Sequence, residues 1–440
     1  MTSQRLLLLS LLLLLFSVPA WAGDGAVLHG IGAVSSSMGG AGVALPNDAL
    51  GALNGNPALL AKLGGHRMEF STEFAKAKNA VSSTVHVSVP GSPGFDVSGR
   101  TEDGGRVSVI PAFAWTHHSA QTSAAYGMGF LGLAGFGSDY PQDPSNPILA
   151  PQPHGFGRVF SSYTMLKIPV AFAWQATPRL AIGLAFDAAR ETLESDPAGF
   201  AAPDCSGSPA NPTCFVPRVN TDSAFGYGGQ VGILWEVTPT FNVGASYNSK
   251  LSFSSFDWNS SHANPLRADF GTARQIRFKL DAPASATVGI GWKPTQNLEI
   301  AIDGKRIAYG DTAGFGTSGI DAQGNSKGLG WKNITVLAAG VQWRPSPRLA
   351  LRAGYNRSEN PIPDALTFGS VEAPAVFKNH ACVGLGFAVY KNLEANLALY
   401  RAFKNSGTGP FLSPSGPVPG THVTTEMTLD SALMTLSFRL

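Results

Sequence analysis

The feature that most constrains this chain is a two-residue alternation of apolar and small or polar side chains, interrupted in turn by short and long connections. In "RLAIGLAFDAA", Leu180, Ile182, Leu184 and Phe186 share one face, and Ala181, Gly183, Ala185 and Asp187 share the other. The stretches "FNVGASYNSKLSF", "NLEIAIDGK", "RLALRAGYN" and the closing "SALMTLSFRL" repeat the pattern. Such alternation marks strands with two unlike faces. Tight turns stand at "QATPRL", "EVTPTF", "KPTQNL", "RPSPRL" and "YKNL", and Pro178, Pro239, Pro294 and Pro347 recur roughly every 55 residues, about one hairpin plus one long loop. Between them lie long polar segments rich in Gly, Pro, Ser and Asn: 140–157, 195–222, 257–273, 311–330, 361–374 and 405–420.

Short turns on one side and long loops on the other are the pattern of an outer-membrane barrel, periplasmic turns against extracellular loops. Strands are expected at 66–78, 106–117, 123–137, 159–175, 179–193, 224–237, 240–256, 276–292, 297–309, 331–344, 348–359, 376–389, 392–404 and 427–440. That is about fourteen, an even number as such barrels require. The predicted fold class is therefore all-β, a transmembrane antiparallel β-barrel. Composition agrees. Charged residues make up only 14%, well below the roughly 25% of soluble domains. The apolar content is an ordinary 44%, so it is dispersed, which is how a barrel hides a lipid-facing surface.

The N-terminus, "MTSQRLLLLSLLLLLFSVPAWAGDG", has Arg5, an apolar core from Leu6 to Phe16 and a small-x-small site at Ala20–Ala22. The core is too short to span a bilayer, which needs about 20 residues, and reads as a signal peptide, residues 1–22. Loss of Arg5 leaves 30 basic residues against 29 acidic, a net charge of +1, which offers nothing to nucleic acid. Export places the three cysteines in an oxidising compartment. Cys205 and Cys214 share "DCSGSPANPTCF", where a disulfide would contribute ~2–3 kcal/mol; the alternative is two free thiols. Cys382 sits in a strand-like run as a small buried residue. No Cys/His spacing resembles a metal site, and no cofactor is expected.

Residues 23–65 precede the first strand signal and lack alternation. "GIGAVSSSMGGAGVALPNDALGALNGNPALLAKLGG" is small, apolar and full of turn residues. Irregular backbone of this kind cannot face lipid, but it can be satisfied inside a barrel. Pro57 fixes its own φ and pushes Asn56 out of the helical region. A plug within the barrel, 23–65, followed by the barrel proper, 66–440, is the expected organisation. The alternative is a loose periplasmic tail.

The order of leader, "GIGAVSSSMGGAGVA", "NGNPALLAKL" and barrel resembles the FadL/TodX (OMPP1/FadL/TodX) transporters of long-chain fatty acids and hydrocarbons in Gram-negative outer membranes. The likeness runs over the whole mature chain and includes "LDAPASATVGIGWKPTQNLEIAID", "RAGYNRSENPIPD" and "PAVFKNHACVGLGFAV". It implies a 14-stranded barrel in the outer membrane with a hatch carrying Asn56, Pro57 and Ala58. It also implies passive uptake of a hydrophobic molecule or fatty acid, and sideways exit through a kink in the third strand. Within "YGMGFLGLAGFGSDY", Gly132, Gly135 and Gly137 are the kink candidates, since glycine inside a strand marks a bulge or close approach; the alternative is a wall packed against the plug. Lys305 and Arg352 are candidates for holding a carboxylate head group, or else form structural ion pairs. Expected partners are the ligand, outer-membrane lipid or lipopolysaccharide and the barrel assembly machinery, with the protein a monomer. The chain ends in Leu440 rather than an aromatic residue. The rival readings are a general diffusion porin and a structural barrel or adhesin. An enzyme is not expected: His117 and His118 fall at a short turn, and no nucleophile constellation accompanies them.

Overall fold

Fourteen antiparallel strands, each paired with the next round the wall, close on themselves in the computed structural model. It describes residues 23–119, 122–205, 213–413 and 416–440; the signal-peptide expectation for 1–22 lies outside them. In chain order the strands are β1 (Gly65–Val87), β2 (Phe95–Glu102), β3 (Val107–His118), β4 (Ala124–Tyr140), β5 (Val159–Thr177), β6 (Leu180–Asp196), β7 (Val219–Thr238), β8 (Phe241–Asn248) and β9 (Ser252–Phe253). They continue with β10 (Phe256–Ser261), β11 (Ala273–Phe278), β12 (Ser285–Thr295), β13 (Leu298–Ile307), β14 (Ile334–Ser346), β15 (Leu349–Ser358), β16 (Asn379–Tyr390), β17 (Leu393–Ser413) and β18 (Gly416–Arg439). The ring omits β2, β9, β10 and β11, and β18 pairs with β1 to close it. Closure leaves no sheet edge in lipid, where an unpaired backbone group would be costly.

Side chains alternate as the period-2 pattern requires. Leu184, Phe186, Ile302 and Leu351 are exposed on the outer wall, while Ala181, Asp187, Ala301 and Ala350 are buried inside. Trp174, Trp235, Trp292 and Trp343 stand exposed just before the four Pro-bearing turns. They form an aromatic girdle at the short-turn end.

Four expectations are corrected. Of the expected loop at 405–420, residues 405–413 and 416–420 are instead strand, because β17 and β18 continue as a paired ladder out to Ser413 and Gly416. The region 257–273 is bracketed by the β10–β11 hairpin, a separate two-stranded sheet. The expected strand at 276–292 is two elements: Pro283 cannot donate to a ladder, and buried Asp281 instead accepts from the Phe253 N–H and pairs with Lys250. The first strand runs on past 78 to Val87, where β2 folds back on it.

Residues 23–64 fill the barrel as a hatch. They hold helices α1 (Gly32–Ser37) and α2 (Ala49–Gly55) and a 3-10 turn at Pro57–Lys62. Asp48 caps α2 by accepting from Gly51 N–H, and Glu69 of β1 accepts from Ala49 and Leu50 N–H. Two acceptors thus satisfy three of the donors that a helix start leaves open.

Candidate functional site: a hatch seated against a gap in the wall

The hatch motif is fixed from both sides. Asn56 is fully buried; its amide donates to Val43 O at 2.7 Å and to Ile233 O of β7 at 3.1 Å, and its oxygen accepts from Ala58 N–H at 3.0 Å. Pro57 opens the 3-10 turn, where no backbone donor is needed. Glycines on the inner wall make room. A Cβ on Gly232 would overlap the Asn56 carboxamide, and one on Gly183 would overlap the Pro57–Ala58 backbone. Lys62 then ties the hatch to Glu236 at 2.9 Å.

Beside the hatch tip the wall is interrupted. β3 and β4 pair only up to Ala112↔Leu131. β4 continues against β5, but the register slips between Gly132 and Ala134. This slip is a β-bulge, which bends a strand and disrupts its ladder. Gly132 lies one residue past the last β3–β4 rung, where a Cβ would overlap the Ile110 side chain. Beyond it β4 has no β3 partner. The hatch supplies one: Leu28 N–H donates to Leu133 O at 3.0 Å, and Gly135 N–H donates to Ala26 O at 3.2 Å. Gly137 lies above, where its carbonyl accepts from Asn79 at 3.4 Å. A three-residue piece of hatch therefore pairs with β4 between Leu131 and Gly137, where β3 does not.

That piece is held by Lys305 of β13 and by Tyr309, two residues past the end of that strand. Tyr309 OH accepts from Ala26 N–H at 2.7 Å and donates to Asp24 O at 2.8 Å. Lys305 pairs with Asp24 at 3.1 Å. The Tyr309 ring packs edge-on against Phe315 and Trp331, in the long connection between β13 and β14. An enclosed aromatic cluster thus touches the residue that holds the hatch tip. Arg352 lies deeper, bonded to Gln342 and Asn396 and 3.5 Å from Glu394. Lys305 and Arg352 are both engaged with protein carboxylates.

The long loops cover the outer end. A disulfide joins Cys205 and Cys214, and Asp204 beside it pairs with Arg274 of β11 at 2.9 Å. Glu372, in the connection between β15 and β16, accepts from Ser195 Oγ at 2.8 Å. Burial pushes its carboxyl up to about 8, and Asp196 adds to the rise. Cys382 is free and buried. His117 and His118 end β3 at the short-turn rim, with His66 stacked on His117. Sequence reasoning did not find Tyr309, Ala26 or Leu28. The signal for Tyr309 would have been a lone aromatic directly after the β13 alternation.

The family model described as outer membrane protein transport protein (OMPP1/FadL/TodX) matches residues 19–439. This chain belongs to that family. Among solved structures, the Pseudomonas putida toluene transporter TodX is similar at 21% identity and TM-score 0.67, covering 94% of this chain and 99% of that one. A Pseudomonas aeruginosa FadL homologue is similar at 14% identity and TM-score 0.72, with 94% and 99% covered. The Ralstonia pickettii toluene transporter TbuX gives 20% identity and TM-score 0.62, again with 94% and 99%. At these identities the likeness is one of fold. No curated protein sequence matches. As a barrel of the OMPP1/FadL/TodX family, the protein resides in the outer membrane of a Gram-negative cell and belongs with transport proteins.

Proposed function

We propose that the protein passes small hydrophobic molecules from outside into the outer membrane, passively, with the hatch as gate and the interruption beside β4 as side exit. The observation that carries this reading is the Ala26–Leu28 segment standing in for the missing β3 partner. Moving three residues would open the wall toward lipid while the rest of the hatch stays tied at Asn56 and Lys62. Sideways exit suits an apolar cargo, because each CH₂ kept from water is worth ~0.8 kcal/mol. The Tyr309–Phe315–Trp331 cluster supplies the coupling: a ligand that enters it displaces the ring whose hydroxyl holds Asp24 and Ala26.

Lys305 and Arg352 are candidates for a carboxylate head group only if they leave Asp24 and Glu394. With both paired, an uncharged hydrocarbon fits better than a fatty acid, in line with the toluene transporters among the similar structures. We read the chain as a monomeric channel inserted by the barrel assembly machinery, with no catalytic step.

The test uses A26C/G135C in a C382A background, reconstituted in vesicles. Oxidation should stop uptake of labelled toluene, and reduction should restore it. Toluene entry at the wild-type rate through the crosslinked protein would refute the side exit. Free passage of small sugars through the intact protein would replace the reading with a porin.

A further inference from the structure

The outer wall carries a groove of about 430 Å³ on strands β16, β17, β18 and β1. Two adjacent rungs of the ladder build it. The lower rung reads Val383, Leu399, Ala432 and Phe74 across the four strands. Ala432 is flanked by Leu399 and Phe74, which are 59% and 49% exposed. A small side chain between two large ones leaves a notch facing lipid. The upper rung reads Ala381, Arg401, Asp430 and Lys76. Arg401 sits 3.6 Å from Asp430. Lys76 and, two residues further up, Lys78 are exposed and have no salt-bridge partner among the described residues. Two neighbouring cations differ: Arg100 and Lys404 are taken up by Glu102 and Glu426.

Height and charge choose the occupant. The tryptophan girdle marks the short-turn end, so the charged rung lies toward the long loops, at the level of the outer-leaflet head groups. An acyl chain fits the notch. Directly above it, Arg401, Lys76 and Lys78 outweigh the single Asp430. Phosphate is the anionic group that such a set holds best, Arg as a fork and Lys as a point charge. We propose that this groove is a binding site for one lipid A unit of lipopolysaccharide, its phosphate on Lys76, Lys78 and Arg401 and an acyl chain over Ala432. The site faces outward on β16, β17, β18 and β1, away from the side exit proposed beside β4.

The test is lipid retention. The full-length protein is purified from outer membranes in mild detergent, and bound lipid A is counted by mass spectrometry. About one lipid A per barrel is expected for the wild type. The double variant K76Q/R401Q should lose roughly tenfold or more of it, since two surface cations are removed. A432F, which fills the notch and leaves the charges alone, should lose as much. R306Q, an outward cation on β13, should keep the wild-type amount. Band shift on heating reports folding, and A432L replaces A432F if that variant does not insert. In vesicles, phosphorylated lipid A should be retained in preference to dephosphorylated lipid A and to phosphatidylglycerol. Equal retention of all three, wild-type retention by K76Q/R401Q, or a wild type that carries no lipid A would each overturn the assignment.

Discussion

Asn56 answers for three backbone groups at once, the carbonyls of Val43 and Ile233 and the N–H of Ala58. Leaving a buried polar group unsatisfied costs about 1–3 kcal/mol. Asn56→Ala should therefore loosen the hatch by at least a few kcal/mol while the barrel stays inserted. Hydrogen exchange at Ala58 should quicken accordingly, with wall strands unchanged; unchanged exchange at Ala58 would contradict the tie. Glu372 makes the outer cap sensitive to pH. Its folded pKa is raised to about 8, against about 4.3 for a free glutamate. The folded cap binds the proton that the opened cap releases, so the contribution is complete below about 4.3 and is lost as pH rises through about 8. Protease cutting of the loops should rise between pH 5 and pH 9, and Glu372→Gln should flatten that rise.

Elements differ in how far their sequence announces them. Barrel strands were legible because lipid outside and hatch inside impose opposite demands on neighbouring residues, as at Leu184 and Ala185. The β17–β18 extension was not, because Gly, Pro, Ser and Thr dominate it and an extracellular ladder has no lipid face to enforce alternation. β2 escaped for the same reason. The bulge on β4 was foreshadowed by its glycines, yet the partner that fills the gap lies about a hundred residues upstream, beyond any local pattern. Inner-wall glycines at positions 183 and 232 looked like mere small residues opposite Leu and Ile; the close approach of Asn56 and Pro57 gives them their role. Gly232→Val should thus insert as a barrel yet expel the 56–58 turn. Single-channel recordings should then show frequent openings, absent from the wild type. A silent channel would mean that the wall can yield instead.

At the scale of the whole molecule, Tyr309 links an aromatic cluster in the long β13–β14 connection to a hatch tip that pairs with β4. Membership of the transport family was legible from the order of leader, "NGNPALLAKL" and strands, and it is carried by the match over residues 19–439. The coupling between cluster and tip was not, since it joins Asp24, Ala26 and Tyr309 across nearly three hundred residues. If that coupling governs uptake, Tyr309→Phe isolates it. The ring and its packing on Phe315 and Trp331 remain, and two hydrogen bonds to the tip disappear, each worth about 1 kcal/mol net. Lys305 still holds Asp24, so the tip should open more often without leaving. Toluene uptake at low concentration should rise several-fold in Tyr309→Phe, and a further step should follow in Tyr309→Phe/Lys305→Met. Sugar permeability should stay low in both, because the hatch remains seated at Asn56 and Lys62. A rise in sugar flux together with toluene flux would mean that the whole hatch moves. Unchanged toluene flux in both variants would mean that the tip is not the gate.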